Sequence, residues 1–396
     1  MKPLGDKTTV QPDRFQPPTR KSSAEATGSA PATKPAAAPQ MSQDAWLVSE
    51  GNRVEPLVDR EEVLSNVLDT IQKAEHSVEV QSFLFGGTFG NKIAEALVER
   101  HKAGVDVRVM VDPKLKIVGA DDHLAALNYL KTNGIEVRTY PTEALDPKAG
   151  WLTHHRAIAH RKAVISDGKT AITGGMNLSD GGGRAHDFMV RMEGPSASQI
   201  NNLFNRDWVV AGGKSYPDAP PAEAAGKTEV TISESSPTTH SIPSLVVSEF
   251  AKAQKSIVIE ALFLTHPDYL QALIEAHDRG VDIKIIVDDT AATGNLPFKK
   301  VLDSLKLGAI PNIPGIEKLE AAGIPARLFV PHDGMTYLHG KLAVIDGKET
   351  LIGSANFTRP AAAHNSELML KVDDVDTSQR FEQQFQDDWE HHTRKE

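Results

Sequence analysis

The feature that most constrains this chain is a pattern of polar residues that occurs twice. Residues 160–167 read HRKAVISD and residues 339–346 read HGKLAVID. In both copies a lysine follows the histidine by two positions, and an aspartate follows the lysine by five. Each copy leads into a glycine-rich segment ending in asparagine, Asn177 or Asn356, seventeen residues after its histidine. The fold must therefore accommodate two equivalent sets of these side chains.

Each copy predicts a β-hairpin whose first strand begins with functional side chains. Residues two apart in a strand share a face, so His339 and Lys341 point the same way, while residues 342–345 run apolar into a core. Residues 346–348, Asp-Gly-Lys, supply the turn. The second strand ends near Ser354, where small residues allow a ligand or backbone to come close.

The residue types around each hairpin suit an anion. Lys341 contributes a cation, Asn356 an amide donor, and Ser354 a hydroxyl, beside the imidazole of His339. Lys162 and Asn177 repeat this set in the first copy. Such groups favour the oxygens of a phosphate, whereas no carboxylate or thiol cluster accompanies them to predict a metal site.

The surrounding sequence alternates between strand and helix patterns, which indicates an α/β layer structure. Helical spacing over residues 60–74, 92–103 and 124–133 alternates with strand patterns over 77–85, 105–111 and 135–140. The same order restarts near residue 243, which indicates an internal duplication. We predict a disordered tail over residues 1–44, a first lobe over 45–212, a linker over 213–242 and a second lobe over 243–396.

The two halves differ where loops are expected. The first half has extra sequence around residues 141–155, including His154 and His155. We predict that these two are exposed loop histidines, and the alternative is that they line the cleft. The second half has an insertion near residues 290–316. We expect these unequal loops to form two rims of a shared cleft.

Composition limits the function classes. The formal charge of -10 disfavours a nonspecific grip on nucleic acid, which needs clustered lysine and arginine. The absence of cysteine excludes disulfides, thiolate catalysis and cysteine-ligated zinc. No apolar run reaches the eighteen residues of a membrane span, and no signal peptide is seen, so we expect a soluble or peripheral protein.

The duplicated HxK(x)4D pattern, each copy with its downstream asparagine, resembles the phospholipase D superfamily. The resemblance implies two similar lobes, each a mixed β-sheet flanked by helices, related by a pseudo-two-fold axis with one active site between them. It implies His160 as the nucleophile that takes the phosphoryl group and His339 as the acid and then the base. Lys162 and Lys341, with the asparagines, would hold the phosphate oxygens. No metal or other cofactor is required by this scheme.

Two further acids complete the candidate site. Asp187 lies 27 residues after His160, and Glu367 lies 28 residues after His339. We expect each acid to open an apolar strand beside its own motif, and the resemblance implies that both hydrogen-bond the catalytic histidines. Asp167 and Asp346, within the motifs, are expected to hold the turns rather than to transfer protons.

Three other histidines, His186, His332 and His364, flank motif positions. Nearness to the motifs in sequence allows them to touch the substrate. Ordinary structural roles remain the alternative for each of them.

The sequence leaves the function open among three classes. The first motif resembles that of bacterial cardiolipin synthases, and the second resembles those of phospholipases and small bacterial endonucleases of the superfamily. We favour a lipid phosphodiesterase or phosphatidyltransferase acting on phospholipid at a membrane surface. A cardiolipin synthase-type transferase, an endonuclease-like phosphodiesterase acting on nucleic acid and an inactive scaffold are the alternatives. Because both motifs lie in one chain, we expect a monomer.

Overall fold

The two halves of the chain build one continuous sheet flanked by helices. The computed structural model describes residues 46–112, 120–141, 158–236, 238–290 and 312–395. The described strands are β1 (Leu47–Val58), β2 (Ser77–Ser82), β3 (Phe85–Gly86), β4 (Asp106–Val111), β5 (Glu136–Thr139), β6 (Ala163–Ser166), β7 (Thr170–Gly174), β8 (Leu178–Ser179), β9 (Ala185–His186), β10 (Phe188–Glu193), β11 (Thr228–Ser236), β12 (Thr239–His240), β13 (Ser256–Ala261), β14 (Asp282–Asp288), β15 (Ala326–Phe329), β16 (Tyr337–Leu338), β17 (Lys341–Ile345), β18 (Glu349–Gly353), β19 (Glu367–Asp373) and β20 (Thr393–Arg394). The described helices are α1 (Asp59–Gln72), α2 (Gly87–Lys102), α3 (Ala120–Thr132), α4 (Pro195–Val210), α5 (Ile242–Lys252), α6 (Pro267–Asp278), α7 (Ile313–Ala321), α8 (Arg359–Ala363) and α9 (Val375–His391).

The order of strands repeats outward from the centre of the sheet. The first half runs β1-β10-β7-β6-β2-β4-β5, and the second runs β11-β19-β18-β17-β13-β14-β15, with β20 added at that edge. The halves meet where β1 pairs antiparallel with β11, for example Val48 opposite Thr231. An antiparallel pair of equivalent strands is the arrangement that a two-fold axis between the lobes requires. The prediction of two similar mixed α/β lobes is thus confirmed.

The segment predicted as a linker, residues 213–242, is in part sheet. It contains β11 and β12, and β11 pairs with β19 as well as with β1. The sequence of β11, TEVTISESS, has few apolar residues, so apolar alternation does not predict a strand there. Val230 and Ile232 supply apolar packing, whereas Ser233 and Glu234 are buried among polar partners. The predicted tail over residues 1–44 lies outside the described residues, and so do residues 142–157, with His154 and His155, and residues 291–311 of the predicted loops.

Helices cover the sheet around three apolar clusters. Helices α1, α2 and α3 pack on the first half, with Val67, Ile93 and Leu97 fully buried. Helices α5, α6 and α7 pack likewise on the second half. A third cluster takes residues from both halves, including Phe204 of α4 and Phe385 of α9. This shared core holds the halves together where the motifs meet.

The motif hairpins form as predicted, but their acids reach further than the turn. Residues Asp346 and Gly347 have φ of 54° and 64°, and the N–H of Lys348 donates to the carbonyl of Ile345, which closes a type I′ turn. The Asp346 carboxylate accepts hydrogen bonds from the backbone N–H groups of residues 254–256.

Asp167 does the same with the N–H groups of residues 75–77. Each motif aspartate therefore ties its hairpin to the start of the neighbouring strand, β2 or β13. The contacts of each motif aspartate thus extend beyond the local turn.

Candidate active site

Backbone pairing between the halves brings the two motifs together. Ala159 and Ser366 form a parallel bridge, and the N–H of His160 donates to the carbonyl of Ser366 at 2.9 Å. On the other side β9 and β16 pair in parallel, and the N–H of His339 donates to the carbonyl of His186 at 2.7 Å. The chain before each histidine thus lies beside the chain before the other half's acid.

This backbone pairing determines which acid contacts which histidine. His160 Nδ1 lies 2.9 Å from Glu367 Oε2, and His339 Nδ1 lies 2.6 Å from Asp187 Oδ2. Both acids stand at the start of strands, β19 and just before β10, as expected. The sequence does not indicate which histidine each acid contacts, and in the structure each acid contacts the histidine of the other half. Backbone pairing across the interface, which the sequence does not display, causes the exchange.

Glu367 is held by a second set of polar contacts. The hydroxyl of Ser354 donates to Glu367 Oε2 at 2.6 Å and accepts from the N–H of Leu368 at 3.0 Å. Asn365 Nδ2 donates to Glu367 Oε1 at 3.1 Å. The sequence predicts phosphate binding for Ser354, but its buried hydroxyl is instead engaged with Glu367. Ser354 therefore helps to hold the Glu367 carboxylate in place.

The two lysines are buried beside the histidines. Lys341 Nζ donates to the carbonyl of His339, whereas Lys162 Nζ has no hydrogen-bond partner among the described residues. Asn177 Oδ1 and Asn356 Oδ1 also lack one within the described part of the chain. A buried polar group without a partner is costly in free energy, so these groups favour a polar ligand.

The surroundings shift the pKa values of the two acids in opposite directions. Burial lowers the pKa of His160, and the charges of Lys162 and Lys341 lower it further, although Glu367 opposes this. The pKa of Glu367 is lowered, because His160, Lys162 and the Ser354 hydroxyl outweigh the effect of burial. Burial raises the pKa of Asp187 to about 6. His160 therefore faces an ionised carboxylate.

Burial also lowers the pKa values of His339 and of both lysines. For His339 the neighbouring Lys341, Lys162 and His160 add to the effect of burial. The pKa of Lys341 falls to about 8, and that of Lys162 falls well below its ordinary value. An anion between these groups would raise the pKa of each, since it offsets their mutual repulsion.

Sequence reasoning missed one buried residue that supports the site. Arg161, between the motif histidine and lysine, is buried and forms ion pairs with Asp207 and Glu234. Its Nε also donates to the carbonyl of Glu367 at 3.3 Å. Its position inside the motif was the available signal, but a charged residue between two functional ones is usually read as solvent-facing.

The three histidines that flank the motifs differ in their burial and contacts. His186 is fully buried, with carboxylates near both ring nitrogens, so it is not available to a substrate as the prediction allowed. His332 lies 3.5 Å from Asp388 and stacks on His392. His364 follows α8 and is half-buried. Among the described residues, the His and acid groups spaced for a metal ion include neither His160 nor His339.

Comparison with known proteins places the chain in a family. A family model described as cardiolipin synthase, PLD-like domain, matches it twice, over residues 67–208 and 246–389. Cardiolipin synthase A of Klebsiella pneumoniae is 29% identical over 346 residues, which cover 82% of this chain and 67% of that protein.

No described helix is both long and apolar enough to cross a membrane.

Solved structures share the fold. The phosphatidylserine synthase of Haemophilus influenzae has a TM-score of 0.66 at 16% identity and covers 86% of this chain and 87% of its own. The polyphosphate kinase of Porphyromonas gingivalis has a TM-score of 0.52 at 11% identity, over 85% of this chain and 46% of its own. These likenesses concern the fold alone, whereas the family model matches most of the chain in two copies. The chain therefore belongs to the cardiolipin synthase, PLD-like domain family of the phospholipase D superfamily.

Proposed function

We propose that this chain transfers a phosphatidyl group from one phospholipid to an alcohol acceptor on another, as a cardiolipin synthase does. The observation that carries the proposal is the exchange of acids between the halves. His160 and His339 each have Nδ1 held by a carboxylate of the opposite half. This makes one composite site with two oriented imidazoles and two buried lysines.

In the first step, His160 Nε2 attacks phosphorus. Nδ1 donates its proton to Glu367, so the lone pair is on Nε2. The bond from phosphorus to the leaving alcohol breaks as the N–P bond forms, and the imidazolium of His339 gives its proton to the leaving oxygen. The ionised Glu367 stabilises the positive charge that His160 acquires, which supports His160 rather than His339 as the nucleophile.

The lysines and amides supply charge stabilisation. Lys162 Nζ, with no described hydrogen-bond partner, is the group best suited to a nonbridging phosphate oxygen. Asn177 and Asn356 would donate to the same oxygens once their amides are suitably oriented. The phosphodiester charge also raises the lowered pKa of His339, so substrate binding favours the protonated acid that the first step needs.

In the second step, the acceptor replaces the leaving alcohol. His339, now neutral, removes the proton of the acceptor hydroxyl, whose oxygen attacks phosphorus as the N–P bond breaks. Water in the same place gives hydrolysis, and a lipid alcohol gives transfer. The relatives' name and the match to their family model support transfer.

Product analysis tests this function. The purified chain is incubated with vesicles of phosphatidylglycerol, and lipids are identified by mass spectrometry. Transfer predicts cardiolipin and free glycerol, both absent with His160→Ala. Phosphatidic acid and glycerol without cardiolipin would assign a hydrolase instead. Parallel reactions with phosphatidylcholine vesicles and single-stranded DNA show whether the enzyme prefers another headgroup or cleaves nucleic acid.

A further inference from the structure

A second cluster of histidine and acid side chains lies behind the second motif. It consists of His186 at the end of β9, Glu260 on β13 and Asp388 on α9, all fully buried. His186 Nε2 lies 3.1 Å from Asp388 Oδ2 and 3.4 Å from Glu260 Oε2. None of these side chains takes part in the proposed transfer, so the cluster needs its own explanation.

The orientation of His186 leaves one ring nitrogen directed into the cluster. Nδ1 lies 2.9 Å from Asp59 Oδ1, which fixes the ring. Within the described part of the chain Nε2 has no hydrogen-bond partner, although two carboxylates lie near it. Both carboxylate oxygens of Glu260 are likewise buried with no hydrogen-bond partner among the residues that the structure describes. The three side chains converge without hydrogen bonds to one another among the described contacts, and Asp388 Oδ2 accepts from Gln384 Nε2 at 2.9 Å.

This arrangement has the form of a metal site. Histidines that ligate metals commonly donate their other ring N–H to a carboxylate, as His186 does to Asp59. Ligand atoms about 2.0 to 2.2 Å from a tetrahedral zinc ion stand roughly 3.3 to 3.6 Å from one another. The distances from His186 Nε2 to the two carboxylates are close to that spacing.

The pseudo-symmetry adds an argument from charge. In the first half, the residue equivalent to Asp388 is Asp207, which is neutralised by Arg161. The residue equivalent to Arg161 in the second half is Gly340, where even a Cβ would lie 2.8 Å from the carbonyl of Glu260. No arginine can therefore enter from that position, so the positive charge beside these acids comes from histidine side chains or from a bound cation.

We propose that His186 Nε2, Glu260 and Asp388 bind one divalent transition-metal ion, for which zinc is the best match. An imidazole with two carboxylates suits zinc better than it suits magnesium or calcium, which prefer oxygen ligands alone. Water completes the coordination. The ion does not touch the substrate.

The ion would instead fix the segment that carries an acid of the transfer site. The carbonyl of His186 accepts the N–H of His339, and the next residue, Asp187, orients the His339 ring. Binding at His186 thus restrains both partners of that pair. Its measurable consequence is stabilisation of the fold by the ion.

Direct binding tests the site. The full chain, without an affinity tag, is treated with chelator, dialysed and titrated with Zn²⁺ in a calorimeter, with Tm measured in parallel. We expect one ion per chain and a higher Tm. Glu260→Gln and Asp388→Asn keep the side-chain shape and should each weaken binding at least tenfold.

His392→Gln is the matched control, because His392 belongs with His332 and Asp388 to a neighbouring, partly exposed group that could hold an ion instead. This variant should bind zinc like the wild type. Unchanged binding in Glu260→Gln with loss in His392→Gln would overturn the proposed ligand set. Absence of stoichiometric zinc binding by the wild type would overturn the proposal and favour an imidazolium at His186 held by acids alone.

A second measurement does not depend on the folding of buried variants. X-ray absorption of the zinc-loaded wild type should show a shell of nitrogen and oxygen at about 2.0 to 2.2 Å with the outer scattering of one imidazole. Scattering from two imidazoles would reject the site. His160→Ala should bind zinc normally, so failure of the transfer proposal and failure of the metal proposal give different results.

Discussion

Replacement of Glu367 by glutamine isolates the contribution of one charge to the transfer site. Glutamine keeps the shape of the side chain and can still accept from His160 Nδ1, but it removes the negative charge 2.9 Å from that ring. When His160 attacks phosphorus, its ring becomes positive. Two unit charges about 4 Å apart attract by about 4 kcal/mol at the effective dielectric constant of about 20 that describes protein sites.

A barrier increase of that size corresponds to about a thousandfold loss in rate. The hydrogen bond that glutamine retains, worth about 1 kcal/mol, reduces the effect. We therefore expect kcat/KM to fall about 100- to 1000-fold in Glu367→Gln. The loss should be smaller than that of His160→Ala, which removes the nucleophile itself.

The assay uses a soluble nitrophenyl phosphodiester. This substrate needs no membrane surface, and its leaving group needs little protonation, so the rate reports attack by His160 rather than acid catalysis by His339. Glu229→Gln is the control, because its partly exposed carboxylate lies 3.8 Å from Lys371 and away from the motifs. A Glu367→Gln enzyme within fivefold of the wild type would refute the charge argument.

Four further predictions concern individual groups. His339→Ala should cleave the nitrophenyl ester far better than it cleaves a phospholipid, as measured by kcat for both, and equal losses would contradict its role as the acid. The acid side of the kcat/KM profile should report a pKa below 6.5 for His160: activity falls as pH drops through that pKa, and loss of the Glu367 charge should move the limb to lower pH. Asp346→Ala removes the acceptor for three backbone N–H groups and should lower the free energy of unfolding by about 1 to 2 kcal/mol, measured in urea, with little change in kcat. Turnover at 25 °C should persist in excess chelator while Tm falls, and complete loss restored by a divalent ion would place a metal in the chemistry.

Local patterns in the sequence determined the elements and the chemical groups. The hairpins of the motifs, the order of helices and strands and the duplication all follow from apolar spacing and from turn residues that act over a few positions. The type of each functional side chain is visible for the same reason. His160, Lys162, His339 and Lys341 are therefore recognisable as candidates from their spacing alone.

The tertiary structure alone decided how those groups combine. Glu367 reaches a histidine 207 residues away, and Asp187 reaches one 152 residues away, through backbone pairing between the halves. No local pattern encodes such a contact, because it depends on how two lobes dock. For the same reason the sequence did not predict the hydrogen bond from Ser354 to Glu367, the burial of Arg161 or the strand β11 within the linker. The cluster at His186 depends most on docking, since β9, β13 and α9 supply its members from distant parts of the chain.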